Sequence, residues 1–314
     1  MPSILRANNL VKKFGDITAV DDVSFEIYEG EIFSLLGPNG AGKTTTILLL
    51  STLLAPTSGD AMINGFSIKN DNMQVRNYIG IVPQEIALYD DLTALENLYY
   101  WGRLYNLGGR ALELRVAEVL EQIGLTDRAK DRIKTYSGGM KRRVNIAAGL
   151  LHKPRLLFMD EPTVGIDPQS RRMILDKVKE LNQQGMAILY TTHYMEEAQE
   201  LSNRVGIIDH GKLIAVGTQE ELTKQVGEYD SIHILTDPMD DLSSIASKLQ
   251  GFDGITRVTV DESGLNLITS DAGTNLAPII NEISRAGARI KSIEIIEPNL
   301  ETVFLHLTGR ALRD

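Results

Sequence analysis

Not one cysteine occurs among the 314 residues, which excludes a disulfide framework and any thiolate metal site. Long hydrophobic runs are missing as well. The longest, Ile47–Ala55, is interrupted by Ser51 and Thr52 and falls far short of the ~20 apolar residues that cross a bilayer. The opening Met1-Pro2-Ser3-Ile4-Leu5-Arg6 has neither the charged nor the apolar region of a signal peptide. An excess of positive charge is also absent, the formal net charge being -10. That balance argues against a nucleic-acid partner, since phosphate backbones are held by clustered Lys and Arg. A chain of this kind is expected not to span a membrane, though it can sit against one.

What is present points to two domains, because 314 residues exceed what one hydrophobic core usually fills. Residues 221–314 carry 15 acids against 8 bases, and this shift in charge supports a boundary near residue 220. The expected units are residues 1–222 and 228–314. Early segments Ile4–Asn8 and Asp22–Tyr28 read as short strands, with Val23, Phe25 and Ile27 alternating against polar neighbours. Continuous apolar runs follow at Ile32–Leu36, Tyr78–Val82, Leu156–Met159, Ala187–Tyr190 and Val205–Asp209. Such runs suit strands buried on both faces, and helical segments between them predict a doubly wound α/β core.

Residues 91–150 differ, reading as an inserted helical subdomain. Thr93-Ala94-Leu95-Glu96 is a capping-box pattern, Ala111–Ile123 a helix stopping at Gly124, and a third helix runs from Ser137 to just before Pro154. From Tyr229 on, the order of patterns is βαββαβ, with a hairpin around Asp261–Gly264, which predicts a small ferredoxin-like α+β domain. An amphipathic helix closes it at Leu300, Val303, Phe304 and Leu307, capped by Asn299 and followed by Gly309.

Gly37-Pro38-Asn39-Gly40-Ala41-Gly42-Lys43-Thr44 fits the P-loop pattern in full. It follows a buried strand and precedes the helical run Thr45–Leu54, the context the motif requires. Backbone N–H groups there turn inward around phosphates and the helix N-terminus adds its positive end. Lys43 supplies a point charge, and the Thr44 hydroxyl a ligand for Mg²⁺. Asp160-Glu161 emerges at the C-terminal end of the apolar run Leu156–Met159, where α/β sheets bind ligands. Asp160 suits a metal held through water, and Glu161 suits the polarisation of an attacking water. Ser137-Gly138-Gly139 opens a helix, so its hydroxyl and N–H groups could receive a γ-phosphate; the same residues also make an ordinary serine cap.

The order Gly37–Thr44, Gln84, Tyr136–Met140, Asp160-Glu161, Asp167 and His193 resembles the nucleotide-binding domain of ABC ATPases over residues 4 to about 220. The resemblance implies a P-loop NTPase core with an antiparallel β subdomain, binding ATP and Mg²⁺. It implies that the Ser137-Gly138-Gly139 turn of one subunit closes over ATP held by the P-loop, through Thr45, of another, head to tail. Gln84 would reach the metal and sense a transmembrane partner, and His193 would contact the γ-phosphate. Phe14 would stack on adenine beside Val20, and Asp167 would communicate between sites. Residue by residue, alternatives stand: Phe14 as core, Gln84 as a solvated loop residue, His193 as a satisfied strand-end histidine, and Asp167-Pro168 as a helix cap. Lys141-Arg142-Arg143 reads as a solvated helix face.

Tyr136 and Met140 stand where the commoner signature has Leu and Gln. Tyr-Ser-Gly-Gly-Met-Lys-Arg-Arg, with the ending Glu297-Pro298-Asn299-Leu300-Glu301, is similar to ATP-binding subunits of drug and polysaccharide exporters. Those work with separate permeases, so the expected protein is an ATPase on the cytoplasmic face of the cell membrane. It would act as a homodimer or with a related subunit. Ile86, Leu88 and Tyr89, within Glu85–Asp91, would line the groove for a permease helix. Two other readings compete: a soluble ABC-type ATPase acting on ribosomes or nucleic acid, and a regulatory ATP-binding module. Against them stand the single ATPase domain, the acidic charge, and intact Glu161 and His193. The C-terminal domain carries no nucleophile or phosphate loop and reads as a dimerisation or regulatory unit.

Overall fold

Two twelve-residue strands open the chain, β1 (Ser3–Phe14) and β2 (Ile17–Tyr28), both longer than the sequence pattern indicated. Their antiparallel register shifts at four places, and such bulges let a long ribbon twist without losing its pairing. The computed structural model describes residues 2–226, 230–237, 242–261, 264–296 and 299–309. Next come β3 (Ile32–Leu36), buried at all five positions, and helix α1 (Lys43–Leu50). That helix starts earlier and stops earlier than expected, because Thr52 turns the chain at φ 61°. Strands β4 (Ser58–Ile63) and β5 (Phe66–Ser67) complete an antiparallel sheet in the order β2-β1-β4-β5.

After α2 (Asn72–Tyr78) and β6 (Ile79–Val82), the chain enters the helical part. Here α3 (Ala94–Leu104) begins at a complete capping box between Thr93 and Glu96, followed by α4 (Gly109–Gln122) and α5 (Gly138–Leu150). The core then resumes with β7 (Leu156–Asp160), α6 (Pro168–Gln183), β8 (Ala187–Thr192) and α7 (Met195–Leu201). Strands β9 (Arg204–Asp209) and β10 (Lys212–Gly217) close the central sheet, whose order is β10-β9-β3-β8-β7-β6. All neighbours pair in parallel except β10 with β9.

Strand periodicity divides the buried side chains between two cores. On β7, Leu156 and Phe158 join the antiparallel sheet and α1, while Leu157 and Met159 face the cluster built from the helical part. Each such fully buried side chain contributes roughly 1.5–3 kcal/mol. This two-sided burial explains why β3, β7 and β8 read as mainly apolar runs without polar alternation.

Residues up to Thr218 form one compact unit and those from Gln219 a second. The second contains α8 (Gln219–Val226), β11 (Asp230–Thr236), α9 (Leu242–Leu249), β12 (Ile255–Val260) and β13 (Gly264–Thr269). Helix α10 (Ala272–Arg285), β14 (Ile290–Ile296) and α11 (Leu300–Thr308) follow. Its antiparallel sheet has the order β12-β13-β11-β14, the ferredoxin-like arrangement the pattern predicts, around a core that includes Ile232, Ile234, Leu265 and Ile279. Asn299 caps α11 by accepting from the N–H groups of Glu301 and Thr302. The expected Glu297-Pro298 ending, the turn residues 262–263 and both limits of the expected 228–314 unit lie outside the described residues.

Candidate nucleotide site

Strands β3, β8 and β7 lie side by side, so their C-terminal ends bring Gly37–Thr44, Thr191–His193 and Asp160-Glu161 into one place. Close backbone approach shapes the loop. A Cβ on Gly37 would fall 2.1 Å from the Ile208 carbonyl oxygen, and one on Gly42, at φ 105°, 2.5 Å from the Ala19 carbonyl oxygen. These positions admit glycine alone, leaving backbone N–H groups to line a cradle.

Lys43 is buried at the mouth of α1. Its Nζ donates to the carbonyls of Gly37 at 2.7 Å and Pro38 at 2.9 Å, and pairs with Glu161 Oε1 at 2.9 Å. The other Glu161 oxygen lies 3.2 Å from His193 Nδ1, so the three side chains form one continuous chain of contacts. Glu161 sits in the left-handed region, φ 42°, held there as its N–H donates to the Thr191 hydroxyl at 3.0 Å. A non-glycine residue in that conformation stores strain, which a fold tolerates where a side chain must be aimed.

The neighbouring Asp160 accepts from Thr191 Oγ1 at 2.7 Å and from the Thr44 hydroxyl. Burial pushes its carboxyl above the ordinary range, and these two hydrogen bonds oppose the shift only in part. Thr44 and Asp160 thus present hard oxygen atoms to one point. Among the described residues, no group of three or more His, Cys, Asp or Glu side chains is arranged to hold a metal. A Mg²⁺ ion here would complete its shell with phosphate and water, as this cation ordinarily does.

The other expected site residues divide. Phe14 is 50 % exposed with Lys12 Nζ 5.2 Å from its ring centroid, so it is not a core aromatic and offers a free face. Val20, expected beside it as a ligand contact, is fully buried in the core. Its β-branched chain is spent on packing, and only Phe14 of the pair has an open face. The Gln84 side chain is exposed and takes no part in the Lys43–Glu161–His193 cluster. Ser137 is a true cap, accepting from the Met140 N–H at 3.3 Å, yet it and Gly138 are exposed. Gly139 is pressed against Ser170: a Cβ there would meet its Oγ at 2.1 Å. Asp167 caps α6 by accepting from the Ser170 N–H at 2.9 Å, with Pro168 at the first helical position.

The expectation of a solvated Lys141-Arg142-Arg143 face fails at Arg142, which is 3 % exposed. Its guanidinium donates to the carbonyls of Pro83 and Gln84, and burial lowers its pKa. A period-3.6 reading of α5 cannot show this, because the acceptors belong to a segment some sixty residues earlier. Thr191 is a further site residue, bonded to both Asp160 and Glu161, and its one local signal is its place in Thr191-Thr192 directly before His193.

Between the helical part and the central sheet runs a mainly apolar groove of about 330 Å³, lined by Leu53, Arg76, Ile81, Ala87, Trp101 and Tyr105 among others. Of the segment expected to line it, Ala87 does so, Leu88 packs on the core, and Tyr89 is exposed edge-on to Tyr100.

A glycine cradle, a buried lysine at a helix N-terminus and paired carboxylates at the end of β7, one strand removed from the P-loop strand, define a P-loop ATP-binding cassette. Residues 20–164 match the family model described as ABC transporter. The linearmycin resistance ATP-binding protein LnrL of Bacillus subtilis is 47% identical over 99% of this chain and 100% of its own length. The doxorubicin resistance ATP-binding protein DrrA of Mycobacterium tuberculosis is 40% identical, covering 94% of this chain and 89% of its own. Among solved structures, a dimeric post-hydrolysis state of the ATP-binding cassette MJ0796 bound to ADP and Pi superposes with TM-score 0.62 at 28% identity, covering 68% of this chain and 98% of that one. The chain belongs to the ABC transporter ATPase family: it binds ATP and hydrolyses it.

Proposed function

We propose that this ATPase powers export of a drug-like, lipid or polysaccharide compound through a separate membrane permease. The single observation that carries its chemistry is the Lys43–Glu161–His193 chain of contacts. A γ-phosphate offered to Lys43 takes the place of Glu161 on the ammonium. The freed carboxylate, still aimed by its strained backbone, polarises the attacking water, and His193 meets the phosphate oxygen. Thr44 and Asp160 would hold Mg²⁺, which supplies charge neutralisation on the phosphates. Phe14 stacks on the adenine ring. Gln84 serves between this metal and the groove.

Two chains are needed in this reading. The exposed Ser137-Gly138 turn has its own helix to cap and its own α6 to rest on, and so is free to close on ATP held by a partner, head to tail. A mixing experiment tests this. Lys43→Ala and Ser137→Arg should each abolish turnover alone, while their mixture should regain it, because one of the two composite sites then holds both intact halves. No recovery on mixing would end the composite-site reading.

The groove supports the permease assignment, being apolar, open and within the cassette. No helix among the described residues is long and apolar enough to cross a membrane, and the LnrL and DrrA names speak of drug resistance. Leu53→Asp, at an exposed position that lines the groove, should leave ATPase activity of the isolated chain intact and abolish co-purification with the permease. Undiminished co-purification would count against the groove. The working location is the cytoplasmic membrane face.

A further inference from the structure

Behind His193 lies a buried carboxylate to which the chemistry above assigns no task. Glu197, on α7, is 1 % exposed. Its Oε1 accepts from Thr163 Oγ1 and Arg171 Nε, each at 2.6 Å, and its Oε2 from the Tyr190 hydroxyl at 2.8 Å and Thr192 Oγ1 at 2.9 Å. Four donors on one side chain is what an ionised carboxylate, and no other side chain of this size, can satisfy. Beside it, the Tyr190 hydroxyl has its pKa raised well above the ordinary value by burial and by the Glu197 charge, and so remains a donor.

These donors come from the segments that frame the reaction. Thr163 lies two residues past Glu161. Arg171 lies one turn past Asp167, to whose carbonyl its own N–H donates at 2.8 Å. Thr192 immediately precedes His193, and its hydroxyl also accepts from the Tyr194 N–H at 2.9 Å. On the far side of the histidine, the Arg171 guanidinium lies 4.2 Å from the Tyr194 ring centroid, and that ring contacts the His193 ring, 4.2 Å between centroids. His193 is therefore bracketed: Thr192 before it and Tyr194 after it are both tied to Glu197, one directly and one through Arg171.

From this geometry we infer that Glu197 is a positioning residue for ATP hydrolysis, fixing the His193 turn against the turn that carries Glu161 and Asp167. It touches neither the P-loop nor Phe14, so it sets the geometry of the chemical step and leaves nucleotide affinity alone. The inference rests on His193 acting at the γ-phosphate, as proposed above.

The test compares kcat per nucleotide-binding site with the Kd for a fluorescent ATP analogue. Glu197→Gln keeps the shape but loses the charge and half the acceptor capacity, and Arg171→Met, at a half-buried position, cuts the link to Tyr194. Misplacement of about 1 Å at a reacting group costs up to about a hundredfold in rate, so both variants should lose about tenfold or more in kcat with Kd within about twofold. A Glu197→Gln chain that fails to fold leaves Arg171→Met to decide by the same criterion. Near-normal kcat per binding site in Arg171→Met, or an equal loss in kcat and affinity, would overturn the inference. His193→Ala separates the two ideas: full turnover in that variant removes the reading of His193 itself. An inactive His193→Ala beside fully active Glu197→Gln and Arg171→Met removes only the positioning role.

Discussion

Replacing Glu161 by glutamine should have two opposite consequences, both traceable to its 2.9 Å contact with Lys43. The ammonium has three acceptors in the structure, the Gly37 and Pro38 carbonyls and this carboxylate. Phosphate must displace the last. An amide keeps a hydrogen bond to the ammonium but loses the charge–charge attraction, so it releases Lys43 more cheaply, by about 1 kcal/mol. That corresponds to roughly fivefold tighter ATP binding. Turnover should move the other way, because general-base catalysis contributes about 10²- to 10⁴-fold and an amide cannot accept the proton. Isothermal titration gives the affinity and phosphate release the rate. Together they predict a variant that accumulates as an ATP-bound dimer on size exclusion. Weaker ATP binding would refute the competition argument, and a rate within about threefold of the parent would remove Glu161 from the base role.

Two further outcomes follow from single residues. Burial pushes the Asp160 carboxyl up, so folding favours its protonated form: the stability it contributes is complete below the ordinary carboxylate pKa and lost as pH rises through the raised value. Asp160→Asn should accordingly melt above the parent at neutral pH without nucleotide, lose that advantage near pH 4 or below, where the parent carboxyl is protonated too, and lose Mg²⁺-dependent hydrolysis; equal melting across the range would deny the burial effect. Phe14→Ala should weaken ATP about fivefold or more, given about 1–3 kcal/mol for stacking a base on an aromatic face, with the melting temperature unchanged; normal affinity would free Phe14 of that role.

How much of this was legible beforehand follows from which interactions are local. The P-loop is one contiguous octapeptide, and β7 is four apolar residues ending in Asp160, with Glu161 directly after it, so both can be read without knowing the fold. The Thr93–Glu96 capping box and the alternating C-terminal strands are equally local. By contrast β4, Ser58–Ile63, carries little apolar signal in its sequence SGDAMI; it is a strand because β1 pairs with it. The burial of Val20 and the split placement of Leu88 and Ala87 are decided by which face meets a neighbour. Glu197 is the extreme case, since its four donors lie at positions 163, 171, 190 and 192 and nothing near it in sequence announces them.

Arg142 gives α5 a second occupation. The helix begins at the Ser137 cap, and one turn further on its buried guanidinium grips the Pro83 and Gln84 carbonyls, while Asn145, a turn beyond, accepts from the Ala87 N–H and lines the groove. An α-helix of 13 residues is a stiff rod of roughly 20 Å. Any tilt imposed at its signature end must be delivered at the other, with no hinge between to absorb it. On the proposed reading, a tilt of α5 when nucleotide is clasped at the Ser137 turn would alter the width of the apolar groove at its far end, where a permease would meet it.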